Sequence, residues 1–434
     1  MKVAFVLPAF PVLHNTFTLN EIVGLIRHGV DVSILSLNRP RDNGGLLNAD
    51  VARYDLLRRT RFFDTFAGSG PDVPDTCDPW MRHFQPRTPP WWRMLLHGSL
   101  RAPRPKVYPF AAVAQWLVEE KYDVIHGAFG NRPATAALVL STISGIPFTF
   151  EVHAYDLFVD FPFSRAKLDR ASAVFTISQY NRRYLMETCG APDGKVHVVR
   201  VSPNTPMLAG ARAAARQEGL VVSACRLDPI KGLVYALQAM ARIRAQRPRL
   251  RYEIIGDGPL RGELMAEARR LRIEDIVTFV GNVTNEDVCS RMRRAAVFLL
   301  PSVVAADGNR DGTPTAIAEA MQLEIPIVSS ALSGIPELVE DEVTGILTKP
   351  GDVTAIATAL DRLLQDESLR TRMGRAGKEK VVRECNVDTN VAAVRACWEE
   401  IVAGRPSAAT QDAPNEWWNT APATRRLHAA GDRA

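Results

Sequence analysis

Three stretches in the second half of the chain put charge and glycine where an apolar run gives way to a helical pattern. The run 221–225 leads into Arg226-Leu227-Asp228-Pro229-Ile230-Lys231-Gly232. Two cations thus flank a turn that feeds a helix start. Free N–H groups and the positive end of the helix dipole suit a diphosphate there, although a solvated loop has the same composition. The run 252–255 leads into Gly256-Asp257-Gly258-Pro259. Two glycines allow close backbone approach by a flat or charged ligand, and they also fit an ordinary tight turn. The run 296–300 opens into a polar loop that ends Asp311-Gly312-Thr313-Pro314-Thr315-Ala316 and continues to Glu319-Ala320-Met321. Thr313 is the expected N-cap and Pro314 the first helical residue. Asp311 and Glu319 lie roughly 7–8 Å apart along the axis by helical rise. They are therefore not a close acid–base pair. They are spaced to hold two parts of one extended ligand, with a phosphate-binding helix start between them.

In the first half, His126-Gly127-Ala128-Phe129-Gly130 and His153-Ala154-Tyr155-Asp156 each follow a strand-like run. Open α/β sheets place ligands at the carboxyl ends of strands. Two histidines at equivalent ends therefore point to a site, with His153 favoured because Asp156 follows within one turn. A structural role is the alternative for each.

Short apolar runs alternate with helical patterns throughout. In the first series the strands are expected at 2–7, 30–37, 123–126, 148–152, 174–177 and 196–199, with a helix over 16–29. In the second they are expected at 220–225, 252–255, 277–280, 296–300 and 326–329, with helices at 233–245, 260–271, 285–293 and 314–323. Such alternation implies βαβ units and parallel sheets. Two successive doubly wound α/β domains follow, an N-terminal one over 1–208 and a C-terminal one over 219–385. The stretch 209–218, rich in Ala, Gly and charge, reads as the linker. A large insertion occupies about 39–107. Amphipathic helices are expected at 353–364, 367–383 and 388–401. The segment 386–403 is expected to pack back on the first domain, and 404–434 to be a loose tail.

Composition narrows the class. With 434 residues, 46% hydrophobic and 23% charged, the chain is long enough for two cores and is neither disordered nor collagenous. No run approaches the roughly 20 apolar residues of a membrane span. The six cysteines show no C-x-x-C pairing, so a reduced cytoplasmic setting without a metal site is expected. A net charge of +5 is not organised into a nucleic-acid motif, and no G-x-G-x-x-G follows the first strand, which removes the main support for a dinucleotide.

Taken together, Arg226…Lys231-Gly232, Gly256-Asp257-Gly258-Pro259, Asp311-Gly312-Thr313-Pro314…Glu319-Ala320-Met321 and Ser333-Gly334-Ile335-Pro336-Glu337 resemble glycosyltransferase family 4 in order and spacing. Phe10-Pro11 with Asn20-Glu21-Ile22, and the two histidine motifs, are similar to the bacterial exopolysaccharide transferases of the colanic-acid and amylovoran type. The resemblance implies the GT-B fold, two Rossmann-like domains facing across a cleft. It implies transfer of a sugar from a nucleoside-diphosphate donor to an acceptor hydroxyl with retention, without metal or other cofactor. The implied catalytic residues are His153, Arg226, Lys231 and Asp311. The implied donor contacts are Arg226, Lys231, Gly256, Gly258, Asp311, Gly312, Thr313, Thr315, Ala316 and Glu319, with Glu319 on the ribose and Asp311 on the sugar. His126, Phe129 and Asp156 are acceptor-side candidates. Asp311 stands where the family usually has Glu, and Val201-Ser202-Pro203-Asn204 departs from the usual end of the first domain. A nucleotide-sugar epimerase and an inactive donor-binding scaffold are the alternatives.

The segment 80–106 carries Arg82, Arg87, Arg93, Arg101, Arg104 and Lys106, with Trp80, Trp91 and Trp92 and no acidic residue. Cations with Trp favour an anionic membrane surface. A lipid-linked saccharide acceptor, implied by the resemblance, would lie at that surface. The expectation is a cytoplasmic enzyme peripheral to the inner membrane face.

Overall fold

The computed structural model describes residues 1–12, 16–40, 47–66, 108–203, 208 and 215–404. The segment 80–106, on which the membrane expectation rests, lies outside them, as do residues 209–214 of the linker and 405–434 of the tail.

Among the described residues the first domain has seven strands, β1 (Lys2–Ala9), β2 (Asp31–Asn38), β3 (Thr60–Phe62), β4 (Val124–Gly127), β5 (Phe148–Val152), β6 (Ala173–Thr176) and β7 (Val196–Val198). They form one sheet in the order β3-β2-β1-β4-β5-β6-β7, with every pair parallel. The second domain has six, β8 (Leu220–Ala224), β9 (Arg251–Ile255), β10 (Val277–Gly281), β11 (Val297–Leu300), β12 (Ile327–Ser330) and β13 (Gly345–Thr348). Their order is β10-β9-β8-β11-β12-β13. Both sheets therefore reverse direction beside their first strand, at β1/β4 and β8/β11, where doubly wound folds bind ligands. Helices cover both faces, so β5 and β8 are buried at every position, which is why these strands read as continuous apolar runs.

Helix starts follow side-chain chemistry. Ser178, Thr284, Asp352, Asp366 and Asn386 each accept a backbone N–H from the first turn of their helix. The helix Thr16–Arg27 buries Leu19, Ile22 and Val23 along one stripe and stops at Gly29, whose φ of 79° suits glycine.

Sequence and structure part at several elements. β3 lies inside the segment read as an unpatterned insertion. It pairs Thr60, Arg61 and Phe62 with Ile34, Leu35 and Ser36 of β2, and three residues are too few to show a period. β13 begins on a glycine and has only four residues. The helix Arg132–Ser144 buries Ala134, Ala136, Ala137, Leu138 and Leu140, so apolar residues on several sides hide its period. Arg216, read as linker, is tied to the second domain by bonds to Ala295 O, Leu323 O and Glu324 O.

The helix Val387–Val402 leaves the second domain and joins the first. Val391, Val394, Cys397 and Trp398 share a core with Phe5, Leu25 and Phe175, and a Cβ on Gly24 would meet Val391 at 2.8 Å. Trp398 is fully buried and its Nε1–H donates to Thr149 Oγ1 at 3.0 Å. Trp398→Ala is expected to cost about 3–5 kcal/mol, read as a lower midpoint in urea unfolding followed by far-UV circular dichroism. Trp398→Phe should cost less.

Candidate functional site

The turn after β8 is built against its neighbours. Pro229–Lys231 forms one turn of 3-10 helix closed by Gly232 at φ 63°. A Cβ on Gly232 would lie 2.0 Å from Pro301 O, so only glycine brings the turn this close to the end of β11. Lys231 Nζ meets Asp311 Oδ1 at 2.5 Å. Asp311 Oδ2 accepts the Ser302 hydroxyl at 2.6 Å, and the residue is buried. Burial pushes the Lys231 ammonium toward its neutral form, but the charge of Asp311, supported by Cys225 and Asp228, outweighs it and holds the pKa above the usual lysine value. Arg226 is instead exposed and leans on Asp228 at 3.1 Å.

Gly256 and Gly258 serve the chain's own packing. A Cβ on Gly256 would meet Cys225 O at 2.1 Å, and one on Gly258 would meet Leu227 N at 2.7 Å. The close approach read from these glycines is the approach of the Cys225–Arg226–Leu227 backbone.

The helix start after Asp311 differs from expectation. The N-cap is Pro314, the helix runs Thr315–Gln322, and no side chain caps it. Thr313 is buried and its Oγ1 has no hydrogen-bond partner. Proline at the cap offers no side-chain acceptor, so this start is left open to a ligand anion. Thr315 and Ala316 are half-buried at its mouth. Glu319, one turn on, is half-buried too. Burial raises its carboxyl to about 7.

The first domain faces this loop. Gly312 sits so close that a Cβ would meet Ile177 Cδ1 at 2.8 Å and His153 O at 3.1 Å. His153 O also accepts from Asn181 Nδ2 at 2.6 Å. The His153 ring is buried between Phe17 and Phe129, with centroids 4.6 and 5.1 Å away. Its Nδ1 lies 3.7 Å from Asp156 Oδ2 and its Nε2 lies 3.6 Å from Glu151 Oε1. The structure thus brings His153, Phe129, Gly312, Thr313, Asp311 and Lys231 to one place.

Two acceptor-side candidates are corrected. His126 is completely enclosed by Phe5, Phe175 and Trp398. Its Nδ1 bonds Thr149 Oγ1 at 2.9 Å, and burial, aided by the charge of His153, drives its pKa to about 3. A neutral core imidazole cannot reach an acceptor. Asp156 is buried as well, and its oxygens accept the N–H groups of Gly130, His153 and Ala154 at 2.7, 3.1 and 3.1 Å. Burial alone would raise its pKa, but His153 and these N–H groups bring it below the usual value. It fixes the His153 loop.

Sequence reasoning gave no role to three carboxylates, two of which, Glu337 and Glu21, it quoted only within motifs of the resemblance. Glu337, on the turn Ile335–Leu338, reaches across to the first domain. Its oxygens accept the N–H groups of Gln179 and Tyr180 at 2.9 and 2.7 Å and face Arg200 at 3.3 Å. Arg310 adds a second link, 4.7 Å over the Phe158 ring. Glu337→Ala is expected to cost about 2 kcal/mol of charge-assisted hydrogen bonding and to loosen the two domains, seen as a larger radius of gyration in solution scattering. Glu21 and Glu151, beneath His153, are the others. The signal for Glu151 was an acid inside the apolar run 148–152.

The two halves of the chain match two known families. Residues 14–205 match the one described as Glycosyltransferase Family 4, and residues 210–380 the one described as Glycosyl transferases group 1. The amylovoran biosynthesis glycosyltransferase AmsK of Erwinia amylovora is 30% identical over 407 residues, covering 89% of this chain and 96% of that protein. The chain belongs to glycosyltransferase family 4. The Escherichia coli protein named for colanic acid biosynthesis, WcaL, is 29% identical over 398 residues, with 89% and 96% covered. The glycosyltransferase also shares its fold with Anabaena HepE in complex with UDP, at a TM-score of 0.68 and 17% identity, covering 92% of this chain and 100% of that one. Its two parallel-sheet domains are thus those of the GT-B fold. Among the described residues, no helix is long and apolar enough to cross a membrane.

Proposed function

We propose that this glycosyltransferase moves a sugar from a nucleoside-diphosphate donor to a saccharide acceptor in exopolysaccharide synthesis, with retention and without a metal. The observation that carries the reading is the pair of half-buried Lys231 and buried Asp311 beside an uncapped helix start, directly across from His153. Lys231 and the helix N–H groups stabilise the charge that develops on the departing diphosphate. Arg226, exposed at the rim, swings from Asp228 to the same phosphates. Asp311 holds hydroxyls of the donor sugar, Glu319 the ribose, and His153 faces the sugar from the other domain. The leaving phosphate takes the acceptor proton, so no side chain serves as general base. HepE binding UDP supports a uridine donor, and the names of AmsK and WcaL support a polysaccharide product. The acceptor in this reading is lipid-linked, met at the cytoplasmic membrane face through the basic, Trp-containing segment 80–106.

The test is thermal stabilisation by UDP, GDP, ADP and dTDP, with and without EDTA, followed by turnover on the sugar nucleotides of the base that binds. A ligand that binds only the folded state must raise the transition. A shift with one diphosphate, unchanged by EDTA, and transfer to an added saccharide are expected. Binding without transfer would leave a scaffold, and release of an epimerised sugar nucleotide without acceptor would make the protein an epimerase.

A further inference from the structure

Beneath His153 lies a group of acids that the transfer reaction does not use. Glu21 comes from the helix Thr16–Arg27 and Glu151 from β5. Their carboxyls face each other, and one oxygen of each and a ring nitrogen of His126 all fall within 4.8 Å of one another. Glu151 Oε1 points at His153 Nε2 across 3.6 Å, while Asp156 covers Nδ1 at 3.7 Å. Both ring nitrogens thus look at a carboxyl, and the Phe17 and Phe129 rings restrain the imidazole.

We propose that Glu21 and Glu151 are positioning residues for His153, sharing one proton between two facing carboxyls so that the pair presents a single negative charge to Nε2. The proposal rests on the role given to His153 above. Two carboxylates this close in a buried site cannot both ionise. Burial, then the charge of Glu21, then that of Asp156 drive the Glu151 carboxyl well above its usual range. Burial also lifts Glu21 to about 7, less far because the bond to Glu151 and the charge of His153 favour its ionised form. The bond between two carboxyls needs a proton, so the acid that keeps it is held by geometry.

The surroundings are accounted for on every side. Asp156 faces the ring from the short helix after β5, with Lys167 behind it, its ammonium brought down to about 7 by burial. Arg200 lines the small cavity of about 40 Å³ beside the pair, and its own charge is met by Glu337. His126 lies below and is neutral. The helix Val387–Val402 contributes Val387, Asn390, Val391 and Val394, none titratable. The cavity has room for a few waters. One negative charge from the pair and one from Asp156 therefore bracket the ring and hold its orientation.

The experiment is a pH titration of His153 by NMR in protein labelled on histidine Cε1, the signal being assigned by its loss in His153→Gln. Glu21→Gln removes the member of the pair that carries the charge and leaves Glu151 held neutral by burial, so the His153 midpoint should fall by about one pH unit relative to the unmodified protein. Glu151→Gln exchanges the member that keeps the proton for a neutral amide and leaves Glu21 charged, so the midpoint should move far less. A fall on removing the farther acid, with little change on removing the nearer one, is what a merely structural role would not give. Equal movement in both variants, or no fall in Glu21→Gln, would overturn the proposal, and so would a stoichiometric divalent ion in the purified protein that EDTA removes. If Glu151→Gln does not fold, the Glu21→Gln arm decides alone, a fall supporting the shared proton and no fall rejecting it. Turnover of His153→Gln is measured separately. Unimpaired transfer there would remove the catalytic role of His153 while the titration still judged the pair.

Discussion

Lys231→Ala is expected to lower turnover by about 10²–10³-fold, the usual scale for one lost donor to developing charge. The ammonium is fixed before any substrate arrives. Gly232 jams its turn against Pro301, and Asp311 holds Nζ at 2.5 Å. Little reorganisation remains for the transition state, which is where such a cation gains its worth. The same substitution also strands Asp311, buried with only the Ser302 hydroxyl as partner. Breaking one side of a buried pair costs about 3–5 kcal/mol, so the variant should also melt earlier. The two consequences separate in a double variant. Lys231→Ala with Asp311→Asn removes the stranded charge and should recover most of the lost stability without recovering turnover. Initial rates taken well below the lowered transition, beside unfolding curves for the unmodified protein and both variants, measure both effects. Unimpaired turnover by folded Lys231→Ala protein would remove this lysine from the site.

Much of this arrangement could be read from residue order because strand, turn and glycine occur together. The runs after β8 and β11 announce themselves by a buried strand ending in charge, and the structure brings Lys231 and Asp311 into contact. What residue order could not show is partnership across the chain. His126 and His153 stand in nearly the same local context at neighbouring strand ends. Trp398, from the last described helix, closes over His126 and makes it core, whereas Gly312 and Ile177 meet beside His153. Likewise the carboxylate of Glu337 satisfies a helix start in the other domain, and nothing in its own segment names that helix. The Thr313-Pro314 pair misled for a local reason. Its threonine points away from the helix N–H groups and leaves the start to proline. The short strands β3 and β13 escaped because pairing, not pattern, defines them.

Affinity for the nucleoside-diphosphate sugar, whose diphosphate does not titrate in this range, should rise from pH 6 to pH 8 through Glu319, and Glu319→Ala should cut turnover by about 10²–10³-fold through lost positioning. Burial lifts the Glu319 carboxyl from its ordinary 4.5 to about 7. Its folded value lies above its unfolded one, so the protonated form favours the fold. That contribution is complete below about 4.5 and fades as pH climbs toward 7. Ribose hydroxyls reverse the preference, because they donate to a carboxylate and lower its pKa. Binding then expels up to one proton. The dissociation constant should fall by up to about tenfold per pH unit below 7 and level off above it. Calorimetry in two buffers of different ionisation enthalpy counts that proton directly. Glu319→Gln keeps the size of the side chain but has no proton to lose, so its affinity should be weaker at pH 8 and flat with pH. Because the pH dependence vanishes only if this carboxyl meets the ligand, a slope that survives in Glu319→Gln would place the ribose elsewhere.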